Sequence, residues 1–237
     1  SSDAWLNVKA GTDAALAMSM GHVILKEYYI DKETPYFKEY AKEFTDMPFL
    51  VRVEDINGAV QPGRFLNAKD LGRQEEGADF HMVLIDEITN EIVIPNGTMG
   101  ERHTNPQKWN LRLENRDTGA KIDPRLSVFD QREDVTVVKL PYFGDEEHEG
   151  VIERAIPTIT VQTVDGPVKV TTVYDLILAN YGIDRGIGGE VAKSYTDDTP
   201  YTPTWQEKIT GVKADIAIAT AREFADNAEK TKGRSMI

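Results

Sequence analysis

The stretch AWLNVKAGTDAALAMSMGHVILKEYY, residues 4–29, decides the fold class. Ala4–Val8 reads as a short strand, Lys9-Ala10-Gly11 turns the chain, and Thr12 stands at the N-cap of a helix beginning at Asp13. Ala14, Leu16, Ala17, Met20, Val23, Ile24 and Leu25 run round most of that helix. This is the pattern of a buried helix, and it predicts packing on a sheet.

Working outward, Pro35 suits the first turn of a second helix, on which Tyr36, Phe37, Tyr40, Ala41 and Phe44 recur at helical spacing. From Phe49 to about Val170 the chain changes to short β-rich runs: FLVRVE, FHMVLID, EIVIPNG, KWNLRLE, DVTVVKL and the hairpin ITVQTVDGPVKV, turning at Asp165-Gly166. Helix returns from Thr172 through Asn180 and again from Pro203 to Ile209. A last helix, about Lys213 to Lys230, sets Ile218, Ala221, Phe224, Ala225 and Ala228 on one face, narrow enough to lie close against a sheet. The expected organisation is an α/β fold: residues 1–52 a strand–loop–helix part of an α/β domain, 53–170 a β-rich insertion, and 171–237 a helical return to the first domain.

Composition limits the chemistry. The 237 residues carry 27 Lys+Arg against 40 Asp+Glu, a net charge of -13 that repels nucleic-acid phosphates, and no basic patch offsets it. With 0 cysteines, disulfides, thiolate metal sites and Cys nucleophiles are excluded from this stretch. No apolar run reaches the roughly 18 residues that span a bilayer, and the first residues carry no signal-peptide pattern. The chain lacks an initiator Met and stops at GRSMI within an apolar run, which reads as a fragment cut at both ends.

His22, His81, His103 and His148 form no metal-ligand spacing and read as structural or surface residues. Asp145-Glu146-Glu147 with Glu149 lacks the alternation and turn Gly of a calcium loop and reads as solvated. The Gly-rich run Gly182–Gly189 lacks the Lys-Ser/Thr ending of a phosphate loop, which also argues against a GTPase. Gly11-Thr12-Asp13 is the most informative site. It lies where a strand end meets a helix N-terminus, and there open α/β sheets bind ligands. A carboxylate there repels pyrophosphate but accepts the adjacent N–H donors of guanine. The plainer reading is that Thr12 and Asp13 cap the helix and complement its dipole.

GTDAALAMSMGHVILKEYYID (11–31) resembles the catalytic alpha subunits of membrane-bound respiratory nitrate reductases, within the dimethyl sulfoxide reductase family of molybdenum enzymes. YFKEYAKEFTDMPFLVRVE, PGRFLNAKDL, PNGTMGERH with KWNL, LPYFG, VTTVYDLILANYGIDRG, YTPTWQEKITGV and AREFADNAEKTKGRSMI resemble the same subunits in the same order. The resemblance implies that Gly11, Thr12 and Asp13 contact one of two molybdopterin guanine dinucleotides, with the acid near the guanine. It places the ligands of molybdenum and of a 4Fe-4S cluster outside this chain, so no catalytic or metal-binding residue is assigned and the segment alone is inactive. It further implies nitrate as substrate, an iron–sulfur beta subunit and a heme-containing gamma subunit as partners, and a peripheral place on the cytoplasmic face of the bacterial inner membrane, outward-facing in some relatives. Two alternatives stand beside it: a nitrite oxidoreductase subunit running the reaction in reverse, and a non-enzymatic α/β module that binds a protein through its acidic surface.

Overall fold

A computed structural model describes residues 5–97, 112–142 and 150–235. His103, His148, Asp145, Glu146, Glu147 and Glu149 lie outside the described residues, as do most of PNGTMGERH and the start of KWNLRLE. The fold is mixed α/β, as the sequence predicts. It divides into two compact units, one built from Ser1–Phe37, Pro141–Arg154 and Leu178–Ile237, the other from Lys38–Leu140 and Ala155–Ile177.

In chain order the described helices include α2 (Pro35–Phe44) and α3 (Val173–Asn180), and the short strands include β3 (Leu84–Ile85), β4 (Ile92–Val93), β5 (Pro95–Asn96) and β6 (Arg112–Asn115). The first unit is helical. Helix α1 (Asp13–Ile24) runs on into a π-helical turn, Leu25–Asp31, and packs against α4 (Pro203–Thr210) and α5 (Ala214–Thr231). Leu16, Met20 and Val23 meet Val212, Ala217 and Ala221 in its core. Ala217, Ala221, Ala225 and Ala228 form a buried stripe along α5 because alanines four apart share one helix face and let backbones approach. The partner of that stripe is a helix, not the expected sheet. Two other expectations also change here. Residues 5–8 form no strand, since no ladder partner stands beside them among the described residues; Leu6 and Val8 instead cover the α1–α5 core. Thr12 occupies the N-cap position, yet its hydroxyl donates back to the Lys9 carbonyl at 2.7 Å rather than capping the helix. By contrast α4 is fully capped: Thr202 Oγ1 accepts from the Trp205 amide at 3.1 Å, Pro203 opens the first turn, and Gly211 closes it with φ +80°.

The second unit is β-rich. Its five-stranded sheet runs in the order β2 (Ala59–Phe65), β1 (Leu50–Ile56), β9 (Gly166–Thr172), β8 (Val151–Thr163) and β7 (Asp134–Pro141). β1 pairs antiparallel with β2 and β9, and β8 with β9. Pro62 is tolerated because β2 is an edge strand, and it sits beside a register shift between Val51 and Val53. The β8–β9 turn is Val164-Asp165, one residue earlier than the sequence suggests; Gly166, φ +107°, already pairs with Thr163. Leu50, Leu66, Val83, Ile85, Val128, Val161 and Val170 fill this unit's core.

Candidate functional site

The loop before α1 opens onto a cleft of about 950 Å³ within the first unit. One wall is Gly11, Thr12, Ala14, Ala15 and Met18; the facing walls carry Tyr142, Glu190, Pro200, Trp205 and Lys208. The volume lies in the range of small-molecule and cofactor sites. Gly11 has φ +81° with no atom within 4 Å of where a Cβ would stand, so glycine is required here by its backbone conformation while the space beside it stays open. The loop is anchored by the Lys9 amide, which donates to the Thr210 carbonyl at the end of α4 at 3.0 Å. Asp13 is exposed in the first turn of α1, next to the cleft-lining residues but not among them.

The aromatic side chains at this wall interlock. Tyr201 packs edge-on against Trp205 at 5.1 Å and against Tyr181 at 5.8 Å, with Tyr142 at 6.4 Å. Lys208 pairs with Asp198, so the cleft offers both signs of charge around flat apolar surfaces. Behind the wall lies Arg154, fully buried. Its Nη2 donates to the Pro200 carbonyl at 2.8 Å, while Nε and Nη1 meet no acceptor. Burial lowers its pKa to about 10, which still leaves it charged at neutral pH. Gly182, φ +70°, is fixed by this arrangement: a Cβ would stand 3.0 Å from both Arg154 Nη2 and the Pro200 carbonyl. The Gly182–Gly189 run thus shapes packing and opens no helix, as no helix follows it before Pro203.

The two described histidines are accounted for by structural contacts. His22 is buried on α1 with Nδ1 2.6 Å from the Tyr181 carbonyl. His81 is buried in the second unit beside Arg116. No group of three or more His, Asp or Glu able to hold a metal occurs among the described residues. Trp205, Tyr142, Glu190 and Lys208 escape a reading along the sequence because they come from separate segments that meet only in the folded unit.

No protein-family model matches the chain. Curated relatives do. The chain is 48% identical to the nitrate reductase alpha chain of Bacillus subtilis over 99% of its own length and 19% of the relative's. It is 44% identical to the respiratory nitrate reductase 1 alpha chain of Escherichia coli, again over 99% of the chain and 20% of the relative. Relatives 42–48% identical over 99% of the chain are nitrate reductase alpha chains. The chain spans about a fifth of the length of these relatives. A perchlorate reductase subunit alpha from Dechloromonas aromatica is 36% identical over 94% of the chain and 19% of its own length. No described helix is long and apolar enough to cross a membrane.

Proposed function

We propose that this chain is part of the molybdenum-containing catalytic subunit of a respiratory nitrate reductase and forms a wall of its molybdopterin guanine dinucleotide site. The cleft beside Gly11 and Thr12 carries this reading, together with identity to nitrate reductase alpha chains along 99% of the chain. The residues fit such a group: the volume suits a nucleotide, Trp205 and Tyr142 offer flat surfaces for a heterocycle, and the carboxylate of Glu190 in the lining can accept N–H donors. When bound, the cofactor supplies the redox centre at which nitrate yields an oxygen atom and becomes nitrite. The chain's own part is to bind and orient. Gly11 leaves the loop open to close approach, the first turn of α1 lines the cleft through Ala14 and Ala15, and Trp205, packed on Tyr201, lines the opposite wall.

A nitrate reductase and a perchlorate reductase share this segment, which supports assigning it to scaffold and cofactor retention rather than to choice of oxyanion. In this reading residues 1–52 and 171–237 belong to the cofactor-binding domain and 53–170 is an insertion, consistent in character with the β-rich second unit. Electrons reach the subunit from quinol through a heme-containing membrane gamma subunit and an iron–sulfur beta subunit, this segment lying peripherally on the cytoplasmic face of the membrane. The test is Asp13→Ala and Lys208→Ala in the full-length subunit, with molybdenum and released guanine quantified after purification. Loss of a charged hydrogen bond predicts cofactor dissociation about 10- to 100-fold faster. Unchanged metal and guanine in both variants overturns the assignment of the cleft.

A further inference from the structure

A second cavity of the helical unit, about 470 Å³, lies further along α1 where the helix widens into the π-helical turn, a deviation frequent at functional sites. His22, Lys26, Glu27, Asp31 and Lys32 line it from that side, Asp184, Lys193 and Tyr195 from the 183–195 loop, and Arg222 from α5.

His22 is 3% exposed and its Nδ1 lies 2.6 Å from the Tyr181 carbonyl. A carbonyl only accepts, so Nδ1 carries the hydrogen and Nε2 is left as a bare acceptor. Burial holds the ring neutral, with its pKa lowered to about 4. No described residue hydrogen-bonds Nε2. The three carboxylates around the cavity are each neutralised: Glu27 by Arg222 at 2.6 Å, Asp31 by Lys26 at 2.5 Å and Asp184 by Lys193 at 2.7 Å. The fourth cation, Lys32, pairs with no carboxylate and lies 3.8 Å from the centre of the Tyr28 ring.

An acceptor in the wall and a surplus cation define a ligand with two properties at once, a hydrogen-bond donor and a negative charge. We propose that this cavity binds a protonated oxyanion of the phosphate type, whose O–H donates to His22 Nε2 while its charged oxygens face Lys32. Nitrate and sulfate, which carry no O–H at neutral pH, lack the donor the ring requires. The site is thus separate from the cleft and from the proposed substrate.

The experiment is calorimetric titration of the full-length subunit with inorganic phosphate and, separately, with sulfate. Phosphate is expected to bind, and sulfate to bind at least about tenfold more weakly, as befits the loss of one charge-assisted hydrogen bond. His22→Phe is expected to abolish phosphate binding, and Lys32→Gln to weaken both anions. Equal binding of the two anions, no binding of either, or unchanged phosphate binding in His22→Phe overturns the proposal. Should His22→Phe fail to fold, Lys32→Gln decides: Lys32 forms no ion pair, and phosphate affinity unchanged on its removal overturns the site. None of these readouts depends on the molybdenum cofactor, so this proposal and the assignment of the cleft fail separately.

Discussion

Gly21→Ala in α1 sets two effects of opposite sign against each other. In a helix interior, replacing glycine by alanine gains about 1 kcal/mol through reduced backbone entropy. Here the new Cβ would stand 2.6 Å from Tyr181 Cε1 and 3.1 Å from Cζ and the hydroxyl, about 0.8 Å short of the 3.4 Å at which ordinary contact begins. Tyr181 cannot simply swing away, since its ring packs edge-on against the buried Tyr201, which packs in turn on Trp205. Overpacking costs about 1–3 kcal/mol and a disturbed aromatic pair about 0.5–1.5, so the net effect is destabilisation by about 1–2 kcal/mol, or roughly 2–8 °C for a chain of this size. Urea unfolding of the full chain followed by circular dichroism measures it, with Tyr181→Leu closing a double-mutant cycle. In the Tyr181→Leu background the obstruction is gone, and Gly21→Ala is expected to stabilise by up to about 1 kcal/mol. If Gly21→Ala stabilises the wild-type background equally, the ring exerts no constraint and the reasoning is refuted.

Two further outcomes follow from buried charge. His22 has its pKa lowered from 6.5 to about 4, chiefly by burial, so the unfolded chain takes up the proton first as pH falls. Stability is therefore full above pH 6.5 and declines between pH 6.5 and about 4, by up to about 3 kcal/mol. Urea midpoints measured across that range should slope in the wild type and flatten in His22→Gln; parallel slopes would exclude His22 as the cause. In the second unit Asp70 accepts from Arg64 Nη1 and Nη2 at 2.6 and 2.5 Å, from Arg52 Nη1 at 3.2 Å and from the Asn67 amide at 3.1 Å. Its carboxyl is held below the usual range: burial pushes it up, but the Arg64 hydrogen bonds and the Asn67 amide outweigh that. Asp70→Ala removes the acceptor that Arg64 and Arg52 share, leaving the largely buried Arg52 with Glu54 alone at 2.9 Å, and is expected to cost about 2–3 kcal/mol, read from the urea midpoint. A change under about 1 kcal/mol would mean that water replaces the carboxylate freely.

What could be read along the chain was whatever a single segment encodes. The helical stretches after Thr12, Pro35, Thr172, Pro203 and Lys213 form as their periodicity indicates, although Thr12 makes no side-chain cap. The strand expected at Ala4–Val8 fails for a reason no local pattern contains, since a strand exists only if a neighbour offers its backbone. β2 went unread for the converse reason: Pro62 and Gly63 weaken its pattern, while the edge position that tolerates them is a property of the assembled sheet. The Asn57-Gly58 turn, both residues at positive φ, was the available signal for that hairpin. At the cleft, Gly11 was legible because its conformation is local, whereas Tyr142 and Trp205 reach the same space from separate segments.

The same distinction explains why one helix serves both recesses. Asp13 and His22 are nine residues apart, about 13 Å along α1, so the cleft loop and the buried imidazole stand at a fixed separation set by backbone geometry. That separation holds only while α1 is seated, and the seat is the alanine stripe of α5, where Ala217 and Ala221 are fully buried against Leu16, Met20 and Val23. Beyond it the π-helical turn brings Glu27 and Tyr28, adjacent in sequence, onto one turn of α5: Glu27 pairs with Arg222, and Tyr28 donates to Asp226. These polar ties fix the rotation of the helix, which apolar packing alone specifies less sharply. The small side chains thus set how closely α1 approaches α5, and the charged ones set which way it faces. Both are needed before a glycine at one end and a histidine near the other open onto cavities of defined shape.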